Sequence, residues 1–164
     1  MNITELQVLL QHNYWATKRI LKASAALTHE QYVAPNTYPS QSLHGTLVHA
    51  LGAEWIWLRR FRDGVSERAM LKASQIETLA GVTERWAEIE IQYVSFAKTI
   101  SSAALDQPIH YQNDAGQAFT TILWQILQHV AMHGMQHRAE CAQMLTDFGH
   151  SPGNLDLIVY LRSL

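Results

Sequence analysis

Residues His129, His133 and His137 recur every four positions inside a long apolar stretch that reads as helix, and Arg138 follows at once. A period of four carries each imidazole about 40° round a helix from the last, so all three share one broad face. Imidazole is the commonest protein metal ligand, and a pair at i and i+4 can hold one ion. Three over this length cannot, because they span about 12 Å of helix axis at 1.5 Å per residue, while a metal–nitrogen bond is about 2 Å. This helix therefore offers at most two ligands to one ion, and a third must come from elsewhere in the chain.

The other histidines are His12, His29, His44, His49, His110 and His150. His29, His110 and His150 lie in connecting segments, where exposure is the plain reading. His44 falls in the first turn of the second long helix. His49 lies well inside that helix, within Leu47-Val48-His49-Ala50-Leu51, and an imidazole amid so much apolar surface needs a partner if buried. For His49, His133 and His137 the competing reading is a core histidine satisfied by hydrogen bonds. His129 reads as a helix-face residue or a neighbour of the ligands. Cys141 reads as a small buried hydrophobe. Asn13 is either a partner of a ligand histidine or a helix-to-helix hydrogen bond, and Glu54 and Glu140 are candidates to hydrogen-bond a ligand. Trp55 and Trp57 read as core residues that also suit a pocket wall.

Four stretches of helical period must position these groups. They run from about Thr4 to Leu27, from the N-cap candidate Ser42 to Arg62, from Thr78 to Ile100, and from the N-cap candidate Thr121 to Phe148, with Gly149 closing the last. Pro152 forbids continuation, and a short helix is expected from Leu155 to Leu161. Residues 28–41 hold Pro35 and Pro39 and read as loop with one turn near Thr28. Residues 63–77 show no period. Residues 107–120 read as a small β-hairpin around Asn113-Asp114-Ala115-Gly116. The expected fold class is all-α: a four-helix bundle spanning residues 1–164 as a single domain, with a small β-hairpin between the third and fourth helices and a short C-terminal helix.

A chain of 164 residues suits one domain with its own core. Charged residues are only 16%, which points to surface buried against a second copy, a homodimer. The formal net charge of −2 argues against nucleic acid or membrane as partner. No apolar run reaches membrane-spanning length. The opening residues lack the basic and apolar regions of a signal peptide, and the single cysteine permits no internal disulfide, so a cytoplasmic location is expected.

Topology bears on the third ligand. About 15 residues join the second and third helices, a reach of roughly 50 Å when extended, whereas a helix of this length needs about 30 Å. The chain can therefore cross over, giving up-down-down-up and setting the fourth helix antiparallel to the second. His49 lies 15 residues before Gly64, and the same count from Thr121 ends between His133 and His137. Simple alternation would instead favour His129 with His133.

Asn13-Tyr14-Trp15-Ala16, His49 with Gly52-Ala53-Glu54-Trp55-Ile56-Trp57-Leu58, and His129 through Arg138 together resemble the DinB/YfiT-like family. Gly149-His150-Ser151-Pro152 followed by Asp156-Leu157 resembles its C-terminal segment. The resemblance covers nearly the whole chain. It implies an up-down-down-up four-helix bundle whose metal site, carried over by position, is His49, His133 and His137. Two departures are Gln136, where a further histidine is common, and Ala139-Glu140, where Gly-Gln is common.

Three neutral imidazoles leave a fourth coordination position open, the pattern of catalytic sites. Zinc or nickel suits them best, with iron or manganese as alternatives. Water in that position becomes a hydroxide source, and a thiol there ionises. Members of the resembled family include thiol S-transferases, which implies a low-molecular-weight thiol as cofactor and a small electrophile as its partner. The alternatives are a metal-dependent hydrolase and a non-enzymatic metal-binding stress-response protein.

Overall fold

The computed structural model describes residues 2–164. Four long helices dominate: α1 (Ile3–Ser24), α3 (Leu43–Asp63), α4 (Leu79–Thr99) and α6 (Leu123–Asp147). Short helices α2 (His29–Val33), α5 (Ser102–Leu105) and α7 (Leu157–Leu161) and the hairpin β1 (Pro108–Gln112) and β2 (Ala118–Ile122) complete the chain. The helix starts follow capping chemistry. Asn2 and Glu5 form a reciprocal capping box, and the Ser42 and Thr78 hydroxyls accept from the amides of Gly45 and Gly81. α3 stops at Gly64, whose φ of 68° is the left-handed conformation a glycine supplies without steric cost.

Side-chain contacts fix the topology. Gln7 donates to the Ala97 carbonyl and Lys18 pairs with Glu90, so α4 runs antiparallel to α1. Glu54 meets Trp86 and Phe61 meets Phe96, so α3 and α4 are parallel. His49 meets His137 while Trp57 meets His129, so α6 is antiparallel to α3. The bundle is up-down-down-up, as the long connection between α3 and α4 allows. One buried cluster joins Leu6, Leu10 and Ile20 of α1 to Leu47 and Leu51 of α3, Trp86 and Ile89 of α4, and Ile126, Leu127 and Leu145 of α6.

Several boundaries differ from the sequence expectation. α6 begins at Leu123, not at Thr121, because Thr120 and Thr121 pair with His110 and Ile109 across the hairpin. No side-chain hydroxyl caps α6; β2 runs straight into it. α1 ends at Ser24, short of Leu27, since Thr28 caps a separate helix through Gln31. α7 starts at Leu157, with Asp156 in extended backbone before it. A 3-10 turn at Ala73–Gln75 and α5, capped by Ser101, lie in segments without readable period.

Candidate metal centre

α6 presents His133 and His137 one turn apart, and α3 presents His49 opposite them. Ligand atoms of the three lie within 4.8 Å of one another. Nε2 of His137 is 3.2 Å from Nε2 of His133. Nitrogens sharing a tetrahedral ion at about 2.0–2.1 Å lie roughly 3.4 Å apart, so this pair already has the spacing of two ligands on one ion. His137 is buried, whereas His49 and His133 are only partly so, which leaves one side of the trio open.

The rings are held in the form that binds a cation. Nδ1 of His137 faces Oε2 of Glu140 at 2.7 Å. A carboxylate can only accept, so Nδ1 carries a proton, and Nε2 is the nitrogen turned toward the trio. Burial pushes the His133 pKa down to about 4, aided by the charges of His137, His49 and His129. Burial also lowers that of His49, with His137 adding to the effect and Glu140 opposing it. Both imidazoles therefore stay neutral through the physiological range, as ligation requires. The donor set fits a divalent metal ion.

His129 does not join the trio. Its ring sits 5.7 Å from that of His133 and 5.4 Å from that of Trp57, and desolvation lowers its pKa. His44 bonds the Ile76 carbonyl and packs at a tilt against Tyr32, and His12 bonds the Leu155 carbonyl, so both serve the fold. Cys141 is buried and its thiol pKa is raised by desolvation, in keeping with a hydrophobe's role.

Asn13 turns out to be a helix-to-helix bridge. It accepts from Arg138 Nη1 at 2.5 Å and donates to Glu54 Oε1 at 2.9 Å. Glu54 also accepts from Trp86 Nε1 at 3.1 Å, and its backbone carbonyl accepts from Tyr93. Of the two candidate carboxylates, Glu140 touches a trio histidine, while Glu54 belongs to this buried network behind α6. The sequence reading passed over Arg60, whose guanidinium lies 4.7 Å from the Trp57 ring centre and 5.1 Å from that of Tyr111. The signal was present in the spacing: 11 residues make about three turns, so Arg60 shares the α3 stripe of His49.

Fold and site together define a four-helix bundle with a three-histidine centre between its second and fourth long helices. The model of the DinB family matches residues 1–163, and the chain belongs to that family. It is similar to Protein DinB of Bacillus subtilis (strain 168), with 24% identity over 159 residues, 93% of this chain and 91% of that protein.

Proposed function

We propose that this protein is a metal-dependent enzyme that activates a low-molecular-weight thiol for transfer to a small electrophile, with His49, His133 and His137 as the ligands. The observation that carries this reading is the trio itself: three imidazoles with ligand atoms within 4.8 Å, partly open to solvent, and joined in that cluster by no fourth ligand among the described residues. A divalent ion held there would supply Lewis acidity and lower the pKa of a thiol or water in the remaining position.

The two nearby carboxylates favour the thiol. Neither is free to take a proton from a water bound at the trio. Glu140 is engaged by His137, and Glu54 is buried among Asn13, Arg138 and Trp86. A thiol ionises readily enough to need no such group. Glu140 holds the His137 ring and its tautomer, and His49 and His133 complete the cradle from two helices. We also propose a homodimer: an apolar groove of Val8, Leu9, Met132 and Leu157 between α1 and α6 suits a second copy, and sedimentation at 18.6 kDa in the micromolar range would refute it. Among the described residues no helix is long and apolar enough to cross a membrane.

The deciding experiment is metal analysis of protein purified without a nickel column, followed by a thiol screen against a generic electrophile. One divalent ion per chain is expected, most of it lost in the alanine variants of His49, His133 and His137 but kept in His129→Ala, with helical content intact throughout. Turnover should require metal and thiol together. Ester or amide hydrolysis without thiol would point to the hydrolase alternative.

A further inference from the structure

Three arginines close α3, and they differ in one respect. Arg59 pairs with Asp63 and Glu67, and Arg62 pairs with Asp63 and bonds Gln92. Arg60 has no hydrogen bond or ion pair among the described residues, and its Nε is buried without a partner. Its guanidinium instead lies against the faces of Trp57 and Tyr111, the two rings being 5.0 Å apart. Asp114 in the hairpin turn is near enough to raise its pKa but forms no ion pair with it, and desolvation lowers that pKa. A stacked guanidinium of this kind is held in place with its fork of N–H donors unspent, the geometry that receives a planar anion.

Its position relates it to the trio. His49, Ala53, Trp57 and Arg60 fall within about 80° of one another on α3. On the facing helix, His133 adjoins His129, and His129 adjoins Trp57. A continuous track of rings therefore leads from the histidine trio to Arg60. The distance along α3 from His49 is about 16 Å at 1.5 Å per residue. The guanidinium lies back over Trp57, about one turn nearer the trio than the Arg60 backbone, which shortens the span a peptide-like thiol must cover.

We propose that Arg60, braced by Trp57 and Tyr111, receives a carboxylate carried by the small molecule whose other end reacts at the histidine trio. The assignment rests on the thiol-activation reading for the identity of that molecule, though not for the existence of an anion site. It makes Arg60 a specificity residue that selects substrates by a remote negative charge. Reaction at the trio needs no proton or electron from it.

The test uses cobalt-loaded protein, with thiol binding followed in the cobalt absorption spectrum. The probes are glutathione, which carries carboxylates, and cysteamine, which carries none. Arg60→Gln should weaken glutathione binding about tenfold or more, the value of a charge-assisted bidentate contact, while leaving cysteamine binding and cobalt content unchanged. Arg60→Lys keeps the charge and stem but loses the fork, and should fall between; it also serves if the glutamine variant folds poorly. Loss of hairpin packing alone would not discriminate between the two thiols. Equal glutathione affinity in the wild type and Arg60→Gln overturns the proposal. If neither thiol perturbs the wild-type spectrum, the thiol reading fails instead, and calorimetric titration with S-methylglutathione judges Arg60 separately. Binding to the wild type that Arg60→Gln abolishes supports the anion site, and absence of wild-type binding overturns it.

Discussion

Glu140 stands one turn beyond His137 on α6 and takes its Nδ1 proton as a hydrogen bond at 2.7 Å. This contact decides which nitrogen of His137 faces His49 and His133. Without the carboxylate, the ring is free to change tautomer and rotate. Glu140→Ala should therefore weaken metal binding by about 10- to 100-fold, the usual effect of losing such a partner, with helical content unchanged. Glu140→Gln should weaken it less, since the amide oxygen still accepts. Competition against a chromogenic chelator measures both, and an unchanged affinity in Glu140→Ala would show that packing alone orients the ring.

The depressed pKa of His133, about 4 against an ordinary 6.5, gives the metal-free protein a specific response to acid. Above pH 6.5 the imidazole is neutral in both folded and unfolded chains and contributes nothing to the pH dependence. Below it, the unfolded chain takes up a proton that the folded chain refuses until near pH 4. Stability should thus fall as pH drops through this window and level off beneath it. His49 shifts in the same direction and adds to the slope. Thermal unfolding of metal-free His133→Ala across pH 4–7 should show a shallower fall than the wild type; parallel curves would mean that His133 titrates normally.

Gly134 sits mid-helix, where glycine costs up to about 1 kcal/mol relative to alanine. A Cβ there would lie 2.7 Å from Arg138 Nη1 and 2.9 Å from Asn13 Oδ1. The arginine end is ordinarily flexible, but here it is buried and tied to Asn13. Gly134→Ala should therefore destabilise by about 1–2 kcal/mol in urea unfolding, the crowding outweighing the better helix propensity. A variant more stable than the wild type would show that Arg138 can move aside at little cost.

The long helices were legible because their apolar period, caps and closing glycines agree. Ser42, Thr78, Gly64 and Gly149 mark ends within a residue or two of the sequence reading. Thr121 misled because a β-branched residue suits both an N-cap and a strand, and cross-strand pairing to Ile109 prevailed. Spacing, once the crossover was allowed, set His49 opposite the stretch between His133 and His137, and the family resemblance singled out that pair. The role of Asn13 was not, since a polar residue on an apolar stripe has no direction until the helices are placed. Arg60 was hidden for a related reason: among Arg59, Arg60 and Arg62, sequence gives no hint of which one lacks an acidic partner.

Glu54 and Arg138 form a charge pair in the core, bridged by Asn13 and each almost wholly buried. Burial raises the Glu54 pKa, while Asn13, Arg138 and Trp86 pull it back, and burial lowers that of Arg138 while Glu54 opposes the change. Each charge is tolerated because of the other. Removing one leaves its partner desolvated and uncompensated, which costs about 3–5 kcal/mol. Glu54→Leu and Arg138→Leu should each fall in that range. The double variant should be much less destabilised than the sum of the two, because an apolar pair of similar volume needs no compensation. The network ties α1, α3, α4 and α6 together directly behind His137, so metal affinity should fall in the single variants and recover in part in the double one. Urea unfolding combined with chelator competition on all four proteins gives both cycles. Additive losses in stability would show that Asn13 and Trp86 satisfy Glu54 without Arg138.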